Sequence, residues 1–208
     1  MSTKALTTRF DPIFAQYGHG LPVPFLRALA QRESGLNPAG THGLISVVQV
    51  VRQDYNQKHG TSYTQADMQD PAVNVTLATD DLMKVVTAYK KHPSKNMHVD
   101  WANPEFVLLL TAGWNSGHSE GSGVGHVVSY LERHGLPVTH DNVFAYAAEA
   151  GGTRHLQNAA KRTWQKTVAN LYFAQPDALR TFSGSGMLTL ALAAFVAWGA
   201  YHLWGKSR

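Results

Sequence analysis

Residues 23–38 read VPFLRALAQRESGLNP, and this stretch decides the fold. Leu26, Leu29, Ala30 and Glu33 fall at i, i+3, i+4 and i+7, the repeat of one face of an α-helix. Gly35 follows as a stop, being the residue type that most readily turns left-handed past a helix end. A helix over 23–34 is therefore predicted, with a carboxyl on its apolar stripe in the last turn. Apolar neighbours penalise the ionised form, and the negative end of the helix dipole pushes the same way, so the pKa of Glu33 is expected to rise. A carboxylic acid that keeps its proton near neutral pH is what glycosidic cleavage requires. Taken alone, the same glutamate also reads as a helix-end side chain reaching for solvent.

Outward from this helix the chain repeats helix signals. Asp11-Pro12, Asp70-Pro71 and Asn103-Pro104 each pair an N-cap residue with a proline suited to the first helical position. A third helix is expected from Leu44 to Lys58, with Leu44, Val47, Val48, Val51 and Tyr55 facing inward; the β-branched pair Val47-Val48 also suits a strand. Further helices are expected over 72–91, 105–114, 124–134, 142–150 and 158–173. Few stretches alternate with period two, no βαβ rhythm is present, and no segment repeats. The expected class is all-α.

The composition changes after residue 174. Residues 175–185 carry Pro176 and a Ser/Gly run and read as a linker. Residues 186–204 hold no formal charge and are rich in Leu, Ala, Val and Phe. At about 1.5 Å per residue they just span a hydrocarbon core of about 30 Å. Trp198, Tyr201 and Trp204 gather toward one end as an interfacial belt would, and Lys206 and Arg208 follow. A single C-terminal transmembrane helix is expected; His202 and the short length leave a buried core helix as the alternative. The organisation expected is an N-terminal extension (1–20), a helical domain (21–174), a linker (175–185), the membrane helix (186–204) and a basic tail (205–208).

The charged fraction is 15%, below the usual value of about 25%, and the uncharged C-terminal stretch accounts for part of the deficit. A net charge of +4 suits an anionic partner, but no dense Lys/Arg run marks a nucleic-acid patch, so no specific nucleic acid is expected. With no cysteine there is neither a disulfide nor a thiolate zinc site. His118, His126 and His134 recur every eight residues, which drifts around a helix and builds no single metal face. No metal and no cofactor are expected. The first ten residues lack the apolar run of a secretory signal.

Glu33-Ser34-Gly35-Leu36-Asn37-Pro38 resembles the Glu-Ser-x-x-Asn-Pro signature of the soluble lytic transglycosylase domain, a lysozyme-like fold. Three more blocks follow in the family's order. Gln49, within Val47-Val48-Gln49-Val50-Val51, resembles the glutamine of a Gly-Leu-Met-Gln block. Asp70-Pro71-Ala72-Val73-Asn74-Val75 is similar to Asp-Pro-x-x-Asn-Ile, and Ala112-Gly113-Trp114-Asn115-Ser116-Gly117 to Ala-Tyr-Asn-Ala-Gly. The resemblance covers about residues 21–130. It departs at Gly43-Leu44-Ile45-Ser46, where serine stands in the glutamine's place. Either Ser46 replaces that glutamine or the match shifts to Gln49, which the spacing from Glu33 favours. Trp114 replaces a tyrosine, keeping an aromatic wall without a hydroxyl, and the family's downstream tyrosine has no counterpart.

The resemblance implies a lysozyme-like helical domain that cleaves peptidoglycan with Glu33 as catalytic acid and base. Ser34, Gln49, Trp114 and Asn115 are the implied substrate-binding residues. Ser34 reads equally as an orienter of Glu33 or as a cap on backbone carbonyls, and Trp114 and Asn115 also as packing residues. A single carboxyl suffices if the muramic C6 hydroxyl attacks C1 to give a 1,6-anhydro product, since intramolecular attack has a high effective molarity. Hydrolysis by a lysozyme-like route needs a second carboxylate about 5–9.5 Å away, for which Asp54 and Glu120 are the candidates. A catalytically inert, membrane-anchored module on the same fold is the third reading. The implied partners are glycan strands, the membrane through residues 186–204, and other virion or secretion proteins. The basic tail places the enzyme domain on the periplasmic, cell-wall side; packaging in a phage particle or a dedicated export route would deliver it there.

Overall fold

The structure, a computed structural model, describes residues 6–178. Among them the chain forms eight α-helices, three short 3-10 helices and no strand, as the all-α expectation requires. In order these are α1 (Asp11–Tyr17), α2 (Val23–Ser34), α3 (Gln49–His59), α4 (Pro71–Tyr89), α5 (Pro104–Ser116), α6 (Val124–Arg133), α7 (His140–Tyr146) and α8 (Ala159–Phe173).

The fold is built around α5. Every residue from Phe106 to Gly113 is buried, the mark of a helix surrounded on all sides. α8 packs along both α5 and α2, α4 covers another flank of α5, and α1 lies against α4 and α2. α2 in turn buries every residue from Pro24 to Ala30. Where α2, α5 and α8 meet, the Phe25 ring lies 5.1 Å from Trp101 and 6.1 Å from Tyr172, and Trp101 lies 5.3 Å from Phe106. Truncating one such fully buried ring to alanine costs about 3–5 kcal/mol.

Two of the three expected aspartate or asparagine caps form. Asp70 accepts from the Ala72 and Val73 N–H groups, and Asn103 from the Glu105 N–H at 3.0 Å. Asp11 does not cap α1; it is that helix's first residue, and its carboxylate is taken by Arg27. Arg27 Nε lies 2.9 Å from Oδ1 and Nη2 2.6 Å from Oδ2. Arg27 is only 4% exposed and also holds Asp177 at 3.0 Å. A cap contributes about 1 kcal/mol, whereas breaking a buried ion pair costs about 3–5 kcal/mol. The long-range pairing therefore wins.

Gln175 joins the same node, accepting from Arg27 and donating to the Pro24 carbonyl at 2.8 Å, and Ala178 is buried. The chain past α8 is thus fastened back onto α2. Residues 179–185 of the expected linker, the expected membrane helix over 186–204 and the basic tail lie outside the described residues. Among the described residues no helix is long and apolar enough to cross a membrane.

The third helix starts later than expected. Residues 40–46 form turns, and α3 begins at Gln49. Val48, expected inward, is 44% exposed and Val50 is 61% exposed, while Leu44, Ile45 and Val47 are buried. The cause is Asn74 on α4, which is fully buried. Its Oδ1 accepts from the Ile45 N–H at 2.7 Å and its Nδ2 donates to the His42 carbonyl at 2.9 Å. Backbone groups tied to a side chain in this way are withdrawn from a helical ladder. Gly43 makes the approach possible: its φ is +75° and a Cβ there would lie 2.1 Å from the Met68 carbonyl oxygen. Only glycine satisfies both conditions.

Candidate active site

The end of α2 presents Glu33 at a reversal of the chain. Gly35 has φ +67° and Leu36 φ +61°. The Gly35 N–H returns to Gln31 O at 3.1 Å and the Leu36 N–H to Ala30 O at 3.3 Å, the first of these being the bond of a left-handed C-terminal cap. A left-handed leucine is disfavoured by about 1–2 kcal/mol, and burial of its side chain offsets this. Asn37 continues the turn by accepting from the Ala39 N–H at 3.1 Å.

Ser34 acts on the backbone. Its hydroxyl lies 2.8 Å from Leu44 O and 3.2 Å from Ala30 O, and accepts from the Asn37 N–H at 3.1 Å. It therefore ties the 40–46 loop to the end of α2, and Glu33 is not among its hydrogen-bond partners. That tie, together with Asn74 and Gly43, holds Ser46 near enough to the Glu33 carboxyl to favour its ionised form. Gln49 sits exposed at the start of α3 and makes no hydrogen bond to Glu33 among the described residues.

The last turn of α5 supplies the other contact. Trp114 Nε1 donates to Glu33 Oε1 at 2.8 Å. Trp114 is half-buried, so its indole is both a wall of the site and a fixed hydrogen-bond donor to the carboxyl. The donor that a tyrosine hydroxyl would carry is here an N–H that has no ionised form in water. Asn115, also half-buried, is held from α8: its backbone carbonyl accepts from Lys161 Nζ at 3.4 Å, and its Oδ1 lies 3.5 Å from Gln165 Nε2.

Burial pushes the Glu33 carboxyl above its ordinary value and outweighs four opposing influences. Those are the Trp114 and Ser46 donors and the charges of Lys161 and Arg32, all of which favour the carboxylate. The strongest charges acting on Glu33 are thus cations. Of the two candidate second carboxylates, Asp54 pairs with Lys84 at 3.7 Å. Glu120 pairs with Lys91 at 3.2 Å and with the buried ring of His92 at 3.1 Å. Burial opposes the Glu120 charge, but the Lys91 and Ser129 hydrogen bonds and the His92 charge hold its pKa below the usual range. Both carboxylates are engaged by cations.

Arg32, Lys161 and Trp164 also stand at this site, and no sequence motif marks them. Lys161 and Trp164 lie 128 and 131 positions from Glu33, on a helix placed there by packing against α2. Among the histidines, His126 bonds the Glu120 and Ala150 carbonyls and His134 stacks on Tyr130 at 4.1 Å, so both have structural partners.

The arrangement is one carboxyl, biased toward its acid form by burial and held at Oε1 by the Trp114 indole. A family model described as the transglycosylase SLT domain matches residues 12–121, more than half of the chain and inclusive of Glu33, Ser46 and Trp114. No curated protein and no solved structure matches the chain.

Proposed function

Because this chain belongs to the transglycosylase SLT domain family, we propose that it is a peptidoglycan lytic transglycosylase that cleaves the bond from N-acetylmuramic acid to N-acetylglucosamine. Glu33 acts from its acid form, which burial favours, and the proton passes to the bridging glycosidic oxygen as the C1–O bond breaks. The resulting Glu33 carboxylate, stabilised by the Trp114 donor, accepts the proton of the muramic C6 hydroxyl. That oxygen bonds to C1 and closes the 1,6-anhydro ring. Atoms balance without water, and Glu33 ends as it began.

The observation that carries this reading is the environment of Glu33: desolvation favours its acid form while the Trp114 indole N–H favours the carboxylate formed midway. A group asked to give and then recover a proton within one turnover needs both. Hydrolysis through paired carboxylates is less well supported, since Asp54 and Glu120 are each already paired with a cation. An inert module has no need of a buried carboxyl at this position, whose ionisation would only oppose folding.

The reading includes a membrane anchor over residues 186–204, with the enzyme domain facing the cell wall from a phage particle or after dedicated export. Its support is the 19-residue uncharged stretch and the aromatic belt with following positive charges. Two assays test the whole. The purified chain should clear sacculi in a zymogram, and a folded Glu33→Gln protein should not. The full chain should sediment with membranes, and a chain ending at Phe182 should remain soluble. An undiminished clearing band from Glu33→Gln refutes the site, and a soluble full chain refutes the anchor.

A further inference from the structure

We propose that Arg32, Lys161 and Trp164 form a subsite beside Glu33 that binds a carboxylate carried by the glycan substrate. The three side chains come from two helices. Arg32 immediately precedes Glu33 on α2 and is exposed, with its Cζ 5.7 Å from the centroid of the Trp164 ring. Trp164 follows Lys161 by three residues on α8, which places both on one face. Lys161 Nζ lies 3.4 Å from the Asn115 carbonyl, the residue next to the tryptophan that bonds Glu33.

Charge accounting favours an anionic ligand here. On the same helix, Arg162 and Lys166 both pair with Asp141, at 2.8 and 2.9 Å. Arg27 is neutralised by Asp11 and Asp177. Among the described residues Arg32 and Lys161 form no ion pair with a carboxylate. Glu33 is beside them, but the reaction starts from its uncharged form. Two cations without a counter-ion next to an acid that must keep its proton work against the chemistry. A ligand that brings its own negative charge removes that conflict. The half-buried Trp164 ring adds an apolar face for a pyranose.

The substrate proposed above offers carboxylates from two sources. One is the lactyl group of a muramic residue that carries no peptide; the other is the acidic residue of an attached stem peptide. Both present an oxyanion on a flexible tether at the sugar's 3-position, and the subsite chemistry is common to them. The inference rests on the function proposed above for its substrate class, but its test reads binding and needs no turnover.

Three tetrasaccharides of alternating N-acetylglucosamine and N-acetylmuramic acid serve as probes. In one the lactyl carboxylates are free, in the second they are capped as neutral methylamides, and in the third they carry an alanyl-glutamate dipeptide with free carboxylates. Affinity is measured by calorimetry on the full chain bearing Glu33→Gln. At low salt at least one anionic probe should bind about fivefold more tightly than the neutral one, or better, and the one that does identifies the source. Adding Lys161→Met or, separately, Arg32→Met should bring that ratio to within about twofold of one, and Lys161→Arg should retain most of it. Two independent substitutions guard against one that merely unfolds the protein. Anionic probes that bind no better than the neutral probe, or variants that weaken all three in proportion and leave the ratio standing, overturn the subsite. A wild-type chain that forms no cleavage product would refute the proposed activity and leave this binding result untouched.

Discussion

Replacing Trp114 with phenylalanine keeps an aromatic wall, smaller than the indole, and removes the N–H that lies 2.8 Å from Glu33 Oε1. A hydrogen bond to a charged acceptor contributes about 1.5–3 kcal/mol net and one to a neutral acceptor about 0.5–1.5 kcal/mol. Trp114 therefore stabilises the Glu33 carboxylate by roughly 1 kcal/mol more than it stabilises the acid. Removing it should push the Glu33 pKa further up, because burial, the largest influence, then meets less opposition. The alkaline limb of kcat/KM on a neutral muropeptide should move to higher pH. Below that limb kcat should fall about tenfold, since the carboxyl loses the contact that fixes its rotamer and the carboxylate formed midway loses a donor. Trp114→Tyr should recover part of the rate by returning a hydroxyl donor. The assay is a pH series at fixed ionic strength, with thermal melting to confirm the fold. An alkaline limb that stays in place or moves down, with kcat unchanged, would refute the role given to this bond.

Other parts of the account make separate predictions. Glu33→Gln should melt higher than wild type above the ordinary carboxyl range. A raised folded pKa means that stability is complete below the unfolded value and is lost as pH rises through the folded one; the difference should vanish in acid, and a constant offset from pH 3 to 9 would contradict it. Arg27→Met should strip the partner from Asp11, Asp177 and Gln175. Discounted for the partial exposure of both carboxylates, the loss is about 2–3 kcal/mol. At roughly 2–4 °C per kcal/mol this lowers the melting temperature by about 4–12 °C, and a shift under about 2 °C would show the node to be unimportant. Gly43→Ala would place a methyl 2.1 Å from the Met68 carbonyl in a backbone conformation that alanine resists. It should cost roughly 3 kcal/mol or more and reduce sacculus clearing by displacing Ser46; a variant that melts and cleaves like wild type would refute the role of that loop.

The legibility of this chain tracks how local each determinant is. The 3.6-residue period set α2, and Asp70-Pro71 and Asn103-Pro104 marked the starts of α4 and α5, because caps act within one turn. Asp11-Pro12 carried the same local signal and was overruled by Arg27, 16 residues away. The start of α3 was lost for a similar reason: Asn74 holds residues 42–45 from across the fold, which no window around Val47-Val48 reveals. The same clamp explains Ser46. Spacing from Glu33 favoured Gln49, but the loop is fixed by Gly43 and Ser34, and those contacts bring the serine to the carboxyl. Trp114 was legible as an aromatic wall, not as a donor, since an indole N–H finds its acceptor only in three dimensions. Arg32, Lys161 and Trp164 carried no signal in order or period, and only the packing of α8 on α2 assembles them.

The central claim is that one carboxyl performs the cleavage without a catalytic water. Mass spectrometry of the sugars released from sacculi tests it most directly. The account predicts muropeptides that end in 1,6-anhydro-N-acetylmuramic acid, each lighter by one water than its hydrolysed counterpart, resistant to borohydride reduction, and absent from digests with Glu33→Gln. Products with reducible muramic ends and an added oxygen from labelled water would contradict it and would require a second carboxylate at the site.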